Sequence, residues 1–136
     1  MAGELETVVR DMFEGVDRKD FDAVMRVIDE EVQGIDETGR RWLRGRNDVV
    51  GHWRQGLMLT EDVHTELRDV WEGIIGDAGI FTCWLEQDYT QEGKAQHVSG
   101  PATIVFRRLD DNWKTVLFHS IPLPEDEVHQ GASDNR

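Results

Sequence analysis

Apolar residues recur along this chain at two different periods, and the change of period divides it. Leu5, Val8, Val9, Met12, Phe13 and Val16 follow the i, i+3, i+4, i+7, i+8 spacing of a single helical face. Asp17-Arg18-Lys19-Asp20 breaks that stripe. Asp20 is suited to cap a second helix, because its carboxylate accepts from the free amides of the following turn. Phe21, Val24, Met25 and Ile28 supply the second stripe, so the chain opens with a helical hairpin. Glu31 to Asp36 reads as a short strand ended by the turn former Thr38-Gly39, and Arg40 to Gly45 as a basic connection carrying Trp42. Asn47 is placed to cap a third helix in which Val50, Trp53 and Leu57 share a face. Gly51 and Gly56 weaken that helix by about 1 kcal/mol each relative to alanine.

From Asp62 the period becomes two. Val63, Thr65, Leu67, Asp69 and Trp71 alternate with His64, Glu66, Arg68, Val70 and Glu72. Gly76-Asp77-Ala78-Gly79 turns the chain into a second long strand, Ile80 to Thr90, and Gln91 to Lys94 turns it into a third, Ala95 to Leu109. Gly100-Pro101 sits inside that third strand and predicts a bulge or bend there, because proline cannot donate to a ladder. Asp110-Asp111-Asn112 leads to the last strand, Trp113 to Ile121, and a polar tail from Pro122 is expected to be loose. Long antiparallel strands curl, and helices that cover part of the concave face leave a pocket beside them.

Composition narrows the partners. At 136 residues the chain has the length of one domain, taken as 1–121 with 122–136 as tail. Its net charge of −13 repels phosphate backbones and anionic lipid, so neither nucleic acid nor membrane is an expected partner. No stretch approaches the roughly 20 apolar residues of a bilayer span, and the N-terminus lacks a signal-peptide core; a cytoplasmic location is the default expectation. Cys83 is the one cysteine, expected as a small buried hydrophobe. The five histidines show no metal-ligand spacing, and no metal or cofactor is expected.

The order α-α-β-α-β-β-β-β, with three local features, resembles the superfamily of nuclear transport factor two and ketosteroid isomerase, and within it the SnoaL-like chains. The features are the opening helix with its Asp20-Phe21-Asp22 continuation, Asp36 followed nine residues later by Gly45 and the third helix, and the closing run Trp113-Lys114-Thr115-Val116-Leu117-Phe118-His119-Ser120. The resemblance covers residue 4 to about 121. It implies an α+β cone, or barrel, with three N-terminal helices on a strongly curved, mixed but mainly antiparallel sheet. It also implies an apolar cavity and a homodimer formed through the sheet. Members include isomerases, dehydratases, cyclases and non-catalytic domains, so the fold alone does not decide function.

Asp36 occupies the position where the resemblance places the general base of ketosteroid isomerases. A carboxylate at the mouth of an apolar cavity has its pKa raised and can shuttle a proton beside a carbonyl. The alternative for Asp36 is a turn residue bonded to backbone amides before Thr38-Gly39. The oxyanion donors that the resemblance implies are missing: the helix position falls on Met12 and the strand position near Thr103 or Ile104. His119 is the second catalytic candidate, as acid or polariser, sharing a face with Thr115 and Leu117 by simple alternation; packing against the helices or at a dimer interface is its alternative. His97 is placed to approach His119 or Glu86 across the sheet. Trp53, Trp71, Trp84 and Trp113 are candidate pocket walls, with core packing the simpler account for most of them. His97, Thr103 and Leu117 complete the candidate binding set. Trp42 pairs with Arg41 or Arg44 by cation–π contact or closes over the cavity mouth, and Arg46 meets a ligand anion or a nearby acid. Three functions follow: binding of a small apolar molecule, cofactor-independent isomerase, dehydratase or cyclase chemistry through Asp36 and His119, or assembly through the sheet.

Overall fold

The computed structural model describes residues 3–121 and 123–124. Two helices, α1 (Glu4–Asp17) and α2 (Phe21–Met25), precede β1 (Ile28–Asp36), β2 (Arg41–Arg44) and α3 (Arg46–Met58). The long strands follow: β3 (Glu61–Ile75), β4 (Ala78–Gln91), β5 (Lys94–Leu109) and β6 (Asn112–Ser120), then β7 (Leu123–Pro124). The sheet runs β2-β1-β6-β5-β4-β3, with β7 beside β5. Among the described residues only the β1–β6 pair is parallel. The sheet is open, ending in β2 and β3, and the helices lie against one face of it.

The helical stripe on α1 packs as its spacing predicts: Leu5, Val9, Met12 and Phe13 are buried. Gly3 caps α1 without a side chain, and the missing acceptor comes from the sheet. Glu72 takes the free amides of Leu5 and Glu6 at 3.2 and 3.0 Å, where the helix dipole favours negative charge. Gly79 on β4 is a contact glycine, because a Cβ there would lie 2.8 Å from Leu5 Cδ1. Asp20 caps α2 through the Ala23 amide, as expected.

Four local expectations differ from the structure. The second helix stops at Met25, and the strand starts at Ile28 rather than Glu31, because Ile28 pairs with Thr115 and the Val27 carbonyl accepts the Thr115 amide at 2.7 Å. Arg41–Arg44 is a strand, not a connection, since β1 turns back on itself with Asp36 opposite Arg41. The third helix is capped by Gly45, at φ +87°, rather than Asn47; a side chain is strained at that angle. Gly100-Pro101 causes no register shift, because Pro101 keeps its pairing with Trp84 and its carbonyl accepts the Ile121 amide. The tail begins with the β7 pairing to Ser99 and Val98; the rest of the expected loose tail lies outside the described residues.

The bulges fall elsewhere. One lies between Arg68 and Trp71 of β3, with Asp69 at φ +52°. Another lies in β6, where Leu117 faces Val105 but Thr115 faces Phe106, leaving Val116 as the extra residue. Each bulge swaps the faces of the residues beyond it.

Candidate functional site

The concave face of the sheet is filled. Phe81, Cys83 and Leu85 of β4, Ala102, Ile104 and Phe106 of β5, and Trp113 and Thr115 of β6 are buried beneath the helices. Phe118 meets Phe13 and Trp53 edge-on, at 6.2 and 5.3 Å between centroids. Trp113 donates to Glu4 at 2.8 Å and lies under the Arg108 guanidinium. Cys83 is buried as expected, and burial pushes its thiol up to about 11.

The convex face collects most of the binding residues read from the sequence. Thr103 stands directly opposite His119, Val105 opposite Leu117, Trp84 opposite Pro101, and Trp71 opposite Thr82. All eight lie on the side away from the helices, because Phe81, Cys83, Ala102 and Ile104 alternate with them into the core. Trp71 was grouped by alternation with Val63, Thr65 and Leu67, and His119 with Thr115. The two bulges separate both sets: Thr115 and Leu67 turn toward the helices, Trp71 and His119 away. Trp71 is 71% exposed and Ile80 on the same face is also exposed. Of the six candidate binding residues, only Trp53 packs against the core.

Beside this apolar strip the polar groups satisfy one another. Arg68 places a two-pronged fork on Glu86 at 3.0 and 2.9 Å. Glu86 accepts from Ser99 at 3.3 Å, and Ser99 accepts from the Trp84 indole at 2.5 Å. His97 holds Asp88 at 2.6 Å and comes within 3.8 Å of Glu86, the approach expected of it, while it does not meet His119.

Asp36 lies at the end of β1, turned toward α3. Its carboxylate accepts from the Gly39 amide at 2.8 Å and faces Arg41 at 3.4 Å. That amide chiefly holds the group below the usual carboxylate range, against the push of burial and with help from His52 and Arg41. A raised pKa, expected of a carboxylate in an apolar mouth, is therefore not found, and the turn-residue geometry is present. His119 and Asp36 turn to opposite sides of the sheet. Arg44, rather than Arg41, lies over Trp42 at 5.9 Å.

Two recesses on the described surface carry charged side chains. One of about 420 Å³ runs along α3 beside Arg41 of β2, lined by Arg41, Asn47, Asp48, His52, Arg54 and Gln55 among others. The second, of about 330 Å³, includes Asp29, Arg46, Arg107 and Lys114. Asp29 is 3% exposed and receives a fork from Arg107 at 2.7 and 3.0 Å. Burial pushes the Asp29 carboxyl up, but the Arg107 fork, the Glu31 amide and the charges of Arg107 and Arg46 together hold it below the usual range. Arg46 donates to the Ile28 carbonyl at 3.0 Å rather than to an acid. Sequence reasoning passed over Asp29 because it heads the acidic run Asp29-Glu30-Glu31; starting the strand at Ile28 would have set it apart. Among the described residues no group of three or more His, Cys, Asp or Glu side chains is placed to hold a metal ion, and no helix is long and apolar enough to cross a membrane.

The model of the SnoaL-like domain family matches residues 5–124. Solved structures share the fold. A Streptomyces avermitilis protein of the NTF2-like family, provisionally named a dehydratase, is 23% identical over 88% of this chain and 94% of its own, with a TM-score of 0.79. The CaMKII hub of S. rosetta is 20% identical over 90% and 99%, with a TM-score of 0.75. A nuclear transport factor 2-like superfamily protein of Salmonella enterica is 15% identical over 88% of each chain, with a TM-score of 0.79. No curated protein matches the chain.

Proposed function

This chain belongs to the SnoaL-like domain family, and from that premise we propose that it acts as a self-associating domain without proton-transfer chemistry at Asp36, pairing with a second copy through the convex face of its sheet. The observation that carries this is the convex strip itself. Trp71 and Ile80 are exposed there, with Trp84, Thr103, Val105 and Leu117 half-buried beside them. An exposed aromatic and aliphatic centre with a polar border is the composition of a protein interface. The border fits burial as well, since the Arg68–Glu86–Ser99–Trp84 chain already has its partners and loses little when water leaves. Likeness to a kinase hub domain agrees with this reading.

Catalysis by Asp36 with His119 has less support. A base tied to a turn amide and held ionised is a weak proton acceptor, and His119 is on the other side of the sheet. An apolar ligand in the cup also has less support, because Phe81, Ile104, Phe106 and the α1 side chains occupy its middle.

Sedimentation across a concentration series tests the proposal. The wild-type chain is expected as a dimer, and Trp71→Glu or Thr103→Arg as a monomer with an unchanged far-UV spectrum. A wild-type chain that stays monomeric at every concentration, or a dimer indifferent to both substitutions, overturns it.

A further inference from the structure

We propose that the recess along α3 beside Arg41 of β2 is a binding site for a small carboxylate or phosphate anion, with Arg54 as its charged contact and His52, Asn47 and Gln55 as further polar contacts. Its volume of about 420 Å³ suits a small metabolite. The charges around it are arranged unevenly. Two carboxylates stand nearby, and both are occupied. Asp36 is bound to the Gly39 amide and Arg41; Asp48 accepts from the Arg44 amide at 3.0 Å and faces Arg41 at 3.7 Å. Arg41 sits between them and offsets their charge.

Arg54 differs. Among the described residues no carboxylate lies within ion-pair distance of it. Arg54 lines the recess, and its guanidinium rests over the Phe21 ring of α2 at 4.9 Å. Arg41 and Arg54 balance Asp36 and Asp48 in formal charge. In a chain of net charge −13, such a balanced spot repels an anion less than a purely acidic stretch does.

Gly51 supplies an independent observation. It lies inside α3, where glycine costs about 1 kcal/mol relative to alanine. A Cβ there meets nothing within 4 Å, so packing does not require the glycine. Gly51 lines the recess, and its missing side chain leaves that part of the α3 surface open.

NMR titration of the full chain with succinate and, separately, with inorganic phosphate tests the site, read on the His52 ring and the Arg54 Nε–H. Saturable shifts are expected at both groups with at least one anion; the effective probe tells carboxylate from phosphate chemistry. Arg54→Gln is expected to weaken binding about tenfold. Gly51→Leu, which places a bulky side chain on the recess lining and favours the helix, is expected to abolish binding with thermal stability kept or raised. Absence of saturable shifts with either anion overturns the proposal, as do shifts that survive both substitutions. The outcome is independent of the oligomeric state.

Discussion

On the concave side of β4 and β5, Phe81, Ile104 and Phe106 are fully buried under α1, while one residue along the same strands Ile80, Trp84 and Val105 remain partly or largely open to solvent. Both sets are large and apolar, and both belong to the same hydrogen-bonded ladder. They differ in what covers them: one face has helices from its own chain, the other has nothing described. Stability should therefore reside in the concave set, and the convex set should act on association.

The sharpest break of this comparison is Phe106→Ala. Removing a fully buried ring should cost about 3–5 kcal/mol and be visible in denaturant unfolding. Trp71→Glu, on the convex face, should leave the unfolding of a dilute monomer nearly unchanged. Equal losses from both would end the division of labour between the faces.

A second test compares two similar forks. Arg68 on Glu86 is an open pair, with side chains 59% and 20% exposed, and contributes little. Arg107 holds a carboxylate that is almost wholly enclosed, so Arg107→Met should lower stability at neutral pH by more than Arg68→Met does. The sign with pH follows from the lowered pKa of Asp29. Its stabilisation is present above the unfolded value near 3.8 and is lost as pH falls through the lower folded value. Acid titration of unfolding should show that loss in the wild type and show it diminished in Arg107→Met.

The smallest effect tests the concave side from within. Thr115 is fully buried and its hydroxyl has no partner. Thr115→Val removes an unsatisfied group while keeping the shape, so stability should stay level or rise by up to about 1 kcal/mol in calorimetry.

Much of the fold was legible because it follows from local periods. The α1 stripe needs only the helical repeat, and the β4 alternation of Cys83 and Leu85 against Trp84 and Glu86 needs only the pleat. The candidate site was less legible. Trp71, Trp84, Thr103, Leu117 and His119 were selected as cup-lining or as catalytic residues, yet they share the outer face. Two single-residue bulges, at Asp69 and Val116, move Trp71 and His119 relative to their neighbours. A bulge leaves almost no trace in composition, since Val116 is an ordinary residue for an inner strand and Asp69 is one polar residue on the edge strand β3. Asp29 carries no signal in the sequence, and His52 reads there as exposed or peripheral, for a related reason: the groups they act with, Arg107 and Asp36, are brought near only by folding.

By itself the sequence determined the helical faces, the four long strands, most of the turns and the family, because each depends on residues within a few positions of one another; the short strands β2 and β7 escaped it. Only the tertiary structure decided which face of the sheet each strand residue occupies beyond a bulge, and which carboxylates are held by arginines. Those outcomes depend on register between strands and on charges brought together by folding, and a period read along one strand carries no information about its neighbour.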